Sequence, residues 1–138
     1  MIISFDAKRA FHNNRGLGNY SRDVIRLMTS YFPDNSYNLF NPIKTGEKVL
    51  FDVPCNANEI LPSNLIYRVL PGLWRSKGCV SRIKSLKTDI FHGLSQELPF
   101  GIHKSNVKTV VTMHDAIFIK FPELYPASYR KIFIEKNI

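Results

Sequence analysis

A doubly wound α/β domain built on a parallel sheet is the fold class this sequence predicts, and three observations predict it. Short apolar or β-branched runs alternate with stretches of helical spacing. Paired glycines, Gly16 and Gly18, stand between the first run and the first helix. Two later runs end in histidine, at His92 and His114. Strands alternating with helices give parallel βαβ units. In an open sheet of that kind the loops leaving the carboxyl edge line one crevice, where ligands bind.

The elements follow in order. Residues 2–6 read as a buried strand, trailed by a polar loop that ends in Arg15-Gly16-Leu17-Gly18. Helical spacing then places Tyr20, Val24, Leu27, Met28 and Tyr31 on one face, with Arg22, Asp23, Arg26 and Thr29 largely opposite. Pro33-Asp34-Asn35 closes that helix by turn chemistry. Residues 37–41 form a second strand, stopped by Pro42. Val49 to Val53 is the candidate for a third, and Pro54 and Pro62 punctuate a long connection. From Ser63 a helical pattern (Leu65, Ile66, Val69, Leu70) meets Pro71-Gly72 and resumes through Leu73 and Trp74. A short helix over 80–88 leads into a strand at 89–92, and a β-branched strand covers 107–113. An aromatic loop, Phe118 to Tyr125, precedes a last helix opening at Pro126, where proline suits the first turn. Tyr129, Ile132 and Phe133 lie on its apolar face. A domain of this class continues from such a helix into another strand, so the chain is expected to be a truncated piece of something longer.

The totals narrow the function classes. At 138 residues, 44% hydrophobic and 22% charged, the chain has the composition of one ordinary globular domain. Cys55 and Cys79 lack zinc or disulfide spacing and fit free thiols in a reducing cytoplasm. The N-terminus lacks the pattern of a signal peptide, and no apolar run approaches the roughly 20 residues of a spanning helix. A formal charge of +8 points to an anionic partner.

Gly16-Leu17-Gly18 invites a dinucleotide-binding reading, but the third glycine position holds Ser21. The acid expected at the end of the second strand is also missing from Asn38-Leu39-Phe40-Asn41. The pair reads either as a helix-capping turn or as a phosphate loop, and the flanking Arg15, Arg22 and Arg26 favour the second. His114, at a strand's carboxyl end and followed by Asp115, is the candidate catalytic group. His92 holds the matching place on another strand, His12 lies in the first loop, and His103 reads as solvent-facing. From Ile60 to Thr88 there is no acid, yet Arg68, Arg75, Lys77, Arg82, Lys84 and Lys87 stand there among Tyr67, Trp74 and leucines. That mixture reads either as an interfacial membrane contact, made by Arg68, Trp74, Arg75, Lys77 and Arg82, or as a helix packed on the sheet with a solvated basic face. No nucleic-acid-binding motif accompanies the charge.

Phe5-Asp6-Ala7 with Arg15-Gly16-Leu17-Gly18-Asn19-Tyr20, Asp89-Ile90-Phe91-His92-Gly93 with Leu98-Pro99, and Val110-Val111-Thr112-Met113-His114-Asp115 with Phe121-Pro122-Glu123 occur in this order. The ordered set resembles the N-terminal half of family 4 glycosyltransferases, closest to the mannosyltransferase-like group of bacterial polysaccharide assembly. The resemblance implies a GT-B architecture of two Rossmann-like domains across a cleft. Residues 1–138 would be the N-terminal, acceptor-binding domain, with the donor-binding C-terminal domain outside the chain. It implies a retaining transfer of a hexose, such as mannose, from a nucleotide sugar to a lipid-linked saccharide. The nucleotide sugar serves as co-substrate, with no other cofactor and no metal. By position, Gly16 and Gly18 match the family's glycine loop and His114 the histidine at its reaction centre, with Arg15, His92 and Asp115 beside them. Asn19 departs from the family, whose members often carry a basic residue there. The chain alone is expected to be inactive and to self-associate, and the enzyme to work in the cytoplasm at the inner face of the plasma membrane. The alternative is a non-enzymatic module that binds anionic lipid or phosphate through residues 60–88.

Overall fold

In the computed structural model, which describes residues 1–46, 49–128, 131 and 134, five strands lie side by side. They are β1 (Ile2–Asp6), β2 (Ser36–Phe40), β3 (Ala57–Ile60), β4 (Ile90–Gly93) and β5 (Lys108–Val111). Every pairing is parallel, and the order across the sheet is β3-β2-β1-β4-β5. The chain therefore winds outward from β1 to β3, crosses back, and lays down β4 and β5 on the other side. This is a Rossmann-like parallel α/β fold, and its reversal point falls between β1 and β4 at the carboxyl edge.

The period of two along each strand decides which side chain meets which layer. Ile3, Phe5, Tyr37, Leu39 and Ala57 share one face and pack with Ala10 and Phe11 of α1 (Lys8–His12) and Ile25 of α2 (Gly16–Tyr31). Phe40, Ile60 and Phe91 share the other and pack with Trp74, Cys79 and Ile83. Burying each such side chain contributes about 1.5–3 kcal/mol, so both layers are needed to hold the sheet's edge in place.

Helix α2 packs Tyr20, Val24 and Met28 of its expected apolar face against the core, but the face it buries is rotated from the one the spacing predicts. Leu27 and Tyr31 are exposed, whereas Arg22 and Thr29 are buried with Ser21 and Ile25. Polar groups go inside when hydrogen bonds compensate their loss of water. The Arg22 guanidinium donates to the carbonyls of Ala10 and Asn13 and to the Asn19 amide oxygen, and the Thr29 hydroxyl donates to the Ile25 carbonyl. The third strand is likewise displaced. Val49 to Val53 is irregular, with Phe51 buried edge-on against Phe11. Ala57–Ile60 makes the strand instead, as a sheet edge that sends only Ala57 and Ile60 fully inward.

The connection back across the sheet runs through α3 (Leu65–Val69), a turn α4 (Pro71–Leu73), a π-helical turn over Trp74–Gly78, and α5 (Cys79–Ser85). Beyond β5, the aromatic segment contains a short helix α6 (Ile117–Lys120) and a 3-10 turn at Pro122–Leu124. Tyr129, Ile132 and Phe133, expected on the last helix, lie outside the described residues. Among the described residues no helix is long and apolar enough to cross a membrane.

Candidate functional site at the carboxyl edge

The glycine loop meets the strand ends through one tight contact. A Cβ at position 18 would overlap the Asn13 carbonyl, so the start of α2 seats against the loop only because residue 18 is glycine. Gly93 plays the same part where β4 leaves the sheet, against the Glu97 carbonyl. With those approaches made, Tyr20 in the first turns of α2 reaches across to β5. Its ring stands edge-on to His114, centroids 4.9 Å apart. Its hydroxyl lies 3.0 Å from the Thr112 hydroxyl, which in turn lies 2.8 Å from His92 Nε2.

His114 Nε2 sits 2.8 Å from the Leu94 carbonyl. A carbonyl only accepts, so Nε2 carries the proton. In the neutral ring Nδ1 is then the free acceptor, suited to a hydroxyl donor. His92 is half-buried, and burial holds its imidazole below the ordinary value of 6.5. It is neutral at pH 7 and acts within this cluster by hydrogen bonding. The start of α2 has no side-chain cap and no acid in its first turn, which leaves its partial positive charge unopposed, although the Gly18 N–H turns back on the Arg15 carbonyl and the Arg15 N–H on the Asn13 side chain.

On the other face of the same edge lies a network of charges. Asp6, the last residue of β1, receives Nε and Nη2 of Arg75 at 2.9 and 2.6 Å. Arg75 also donates to the Glu97 carboxylate and to the Ser95 hydroxyl. Burial works to lower the Arg75 pKa, but the Asp6 carboxylate, by charge and by hydrogen bond, and then Glu97 outweigh it and hold it above the ordinary value. Burial, reinforced by Asp6, pushes the Cys79 thiol up to about 12, so it is inert as a nucleophile. Lys8 is lowered by partial burial and by the neighbouring Arg75 and Arg9. The cavity beside this network encloses about 10 Å³, at the limit for one water, so it is packed structure and not a ligand pocket.

Of the residues read from sequence, Gly16, Gly18, His92 and His114 do come together at this edge. Arg15 and Asp115 are exposed beside it, and the Asp115 carboxylate caps the Ile117 N–H. Arg22 is spent on the loop carbonyls, and Arg26 sits near Asp23 and over the Phe51 ring, whereas the Arg15 side chain has no such contact among the described residues. His12 bonds to Asn41 and the Ile43 carbonyl at the exit of β2, away from His114. His103 is exposed.

Two of the five residues expected at a membrane surface face inward instead. Trp74 is 4% exposed and stacks on Phe40 in the core. Arg75 is held by Asp6 and Glu97, because the acid closing β1 needs a buried cation. Arg68, Lys77 and Arg82 are exposed. Sequence reasoning quoted Asp6, Tyr20 and Thr112 as motif residues without giving them a place in the site, and it passed over Ser95 and Glu97. The signal available for Asp6 was its place at the end of a wholly buried run, which requires a partner from elsewhere in the chain.

Compared with family models, with curated proteins and with solved structures, the chain matches none. Among the described residues no group of three histidine, cysteine or acidic side chains is arranged to hold a metal ion.

Proposed function

We propose that this chain is the acceptor-side half of a retaining glycosyltransferase that moves a hexose, such as mannose, from a nucleotide sugar to a lipid-linked saccharide in polysaccharide assembly. The supporting observation is the contact of Tyr20 with His114, which joins the glycine loop and the histidine-ended strand, two motifs far apart in sequence, at one edge. In this reading the uncapped start of α2 and Arg15 face phosphate oxygens and stabilise negative charge as the diphosphate departs. His114 receives a sugar hydroxyl at Nδ1 and orients it at the reaction centre. Tyr20, Thr112 and His92 hold that imidazole in place. The nucleotide is bound mainly by a second domain, so residues 1–138 alone turn over no nucleotide sugar. The exposed Arg68, Lys77 and Arg82 face the anionic membrane that carries the acceptor, at the cytoplasmic side.

The test is His114→Ala in a protein that contains both halves. Turnover should fall by about 10²–10³ while donor affinity changes little, the mark of a contact made in the transition state. Unchanged turnover would return His114 to a structural role.

A further inference from the structure

The last two cations of the basic stretch, Lys84 and Lys87, have no part in the carboxyl edge. They join Lys104, from the next connection, around a groove of about 390 Å³. Thr88 and Asp89 lead from it into β4, and Val107 leads into β5, so it opens at the amino edge of the sheet. The length of β4, roughly 13 Å at about 3.3 Å per residue, separates it from the glycine loop and His114.

Both walls are fixed by their own hydrogen bonds. Helix α5 ends in a Schellman motif: the Lys87 N–H donates to the Lys84 carbonyl at 2.9 Å, and the Thr88 N–H to the Ile83 carbonyl at 3.3 Å. The residue that such a motif holds in the left-handed region is usually glycine. Here it is Lys87, at φ 51°. The buried Thr88 hydroxyl is tied to Ser4 at 2.7 Å. The facing wall is the 3-10 turn Ile102–Lys104, closed by Ser105, whose hydroxyl donates to the Ile102 carbonyl and accepts from the Val107 N–H. The backbone itself satisfies the helix end, so the lysine ammonium groups are not needed to cap it. Among the described residues none of the three lysines is in an ion pair, and the Asp89 carboxylate accepts from the Ile2 N–H.

The lining selects the ligand. Its cations are all lysines, point charges suited to phosphate, with no arginine fork to read a planar carboxylate. No aromatic ring is present to stack a base, and Val107 is the one apolar side chain, too little for an acyl chain. A terminal phosphate carries roughly −1.5 to −2 charges, so a single one leaves part of the groove's charge unmatched and a short chain of phosphates matches it. We propose that this groove binds a small oligophosphate through its phosphates, with Lys84, Lys87 and Lys104 holding them and the Asn106 side chain donating at the rim. The site is separate from the proposed sugar transfer, and its test reads no turnover.

The experiment follows amide chemical shifts of the 138-residue chain as sodium tripolyphosphate is added, with chloride adjusted to hold ionic strength constant. Lys87, Thr88, Ser105 and Asn106 should shift together and saturate. Inorganic phosphate should need at least about tenfold higher concentration, since it engages fewer of the lysines at once. ATP should bind no more tightly than tripolyphosphate, because nothing in the groove meets its base. Lys84→Gln with Lys104→Gln should weaken binding by roughly tenfold or more. Arg26→Gln with Lys120→Gln, which removes the same charge elsewhere, should change it less than about threefold, because ions screen distant charges. Circular dichroism controls for folding, and Lys104→Gln alone, in a surface turn, is the second variant if the pair unfolds. Shifts that spread over exposed lysines without saturating, equal affinity for phosphate and tripolyphosphate, tighter binding of ATP or of an oligoglutamate peptide, or unchanged affinity in the groove variants would each overturn the proposal.

Discussion

The two faces of the sheet finish differently at the carboxyl edge. On the α2 face the edge ends in rings and hydroxyls: Tyr20, His92, Thr112 and His114, joined by two hydrogen bonds and one ring contact. On the α5 face it ends in ions, Asp6 and Glu97 clamped on Arg75. The difference separates two jobs. A buried ion pair is costly to separate, so it fixes the crossover connection to the sheet. A cluster joined by hydrogen bonds and a ring contact, with Nε2 of His114 turned to the Leu94 carbonyl and Nδ1 left for another partner, is cheaper to rearrange and can meet a ligand.

The comparison breaks most visibly at Arg75. With the Asp6 side chain 7% and the Arg75 side chain 16% exposed, Arg75→Ala leaves a buried carboxylate unpaired. Denaturant unfolding should show a loss of about 3–5 kcal/mol, and adding Asp6→Asn should restore a good part of it. A loss below about 1 kcal/mol would mean the network is not what holds the connection. The α2 face should yield less. Tyr20→Phe keeps the ring against His114 and removes one hydroxyl bond, so the same measurement should read about 0.5–1.5 kcal/mol.

The smallest effect is in pH. His92 has its pKa depressed in the folded state, so the unfolded chain binds that proton more readily. Its contribution is complete above the unfolded value near 6.5 and is lost as pH falls through the folded value. Unfolding free energy measured from about pH 8 to 5 should therefore decline more steeply in the wild type than in His92→Gln. Parallel curves would show that His92 is not buried as a neutral ring.

The parallel sheet was legible because apolar or β-branched residues bounded by turn residues mark four of its strands: β1, β2, β4 and the edge strand β5 each fall within about two residues of where that pattern places them. Strand β3 was not, since its two buried residues, Ala57 and Ile60, stand three apart on opposite faces around Asn58 and Glu59 and make too weak a pattern. Helical spacing located α2 and the Tyr20, Val24 and Met28 part of its inner face, but not the burial of Arg22 beside them, because it assumes that charged residues go outside and Arg22 instead satisfied the loop carbonyls. The basic run around Trp74 and Arg75 allowed an interfacial reading of both, whereas both face inward. Burial of a charge depends on a partner remote in sequence, and Asp6 lies 69 residues from Arg75. The site's glycines and histidines were readable from their places at strand exits. Tyr20 and Thr112 were not, because their roles exist only across the 92 residues between them.

The central claim is that ligand binds at the carboxyl edge, on the α2 face. Amide chemical shifts of the 138-residue chain, followed while a water-soluble, short-chain diphosphate-linked saccharide is added, test it directly. The account predicts that Gly16, Gly18, His92 and His114 shift together and saturate, and that His114→Ala removes the response at the remaining three. Shifts confined to the groove at the opposite edge lined by Lys84, Lys87 and Lys104, or none at any concentration, would contradict it.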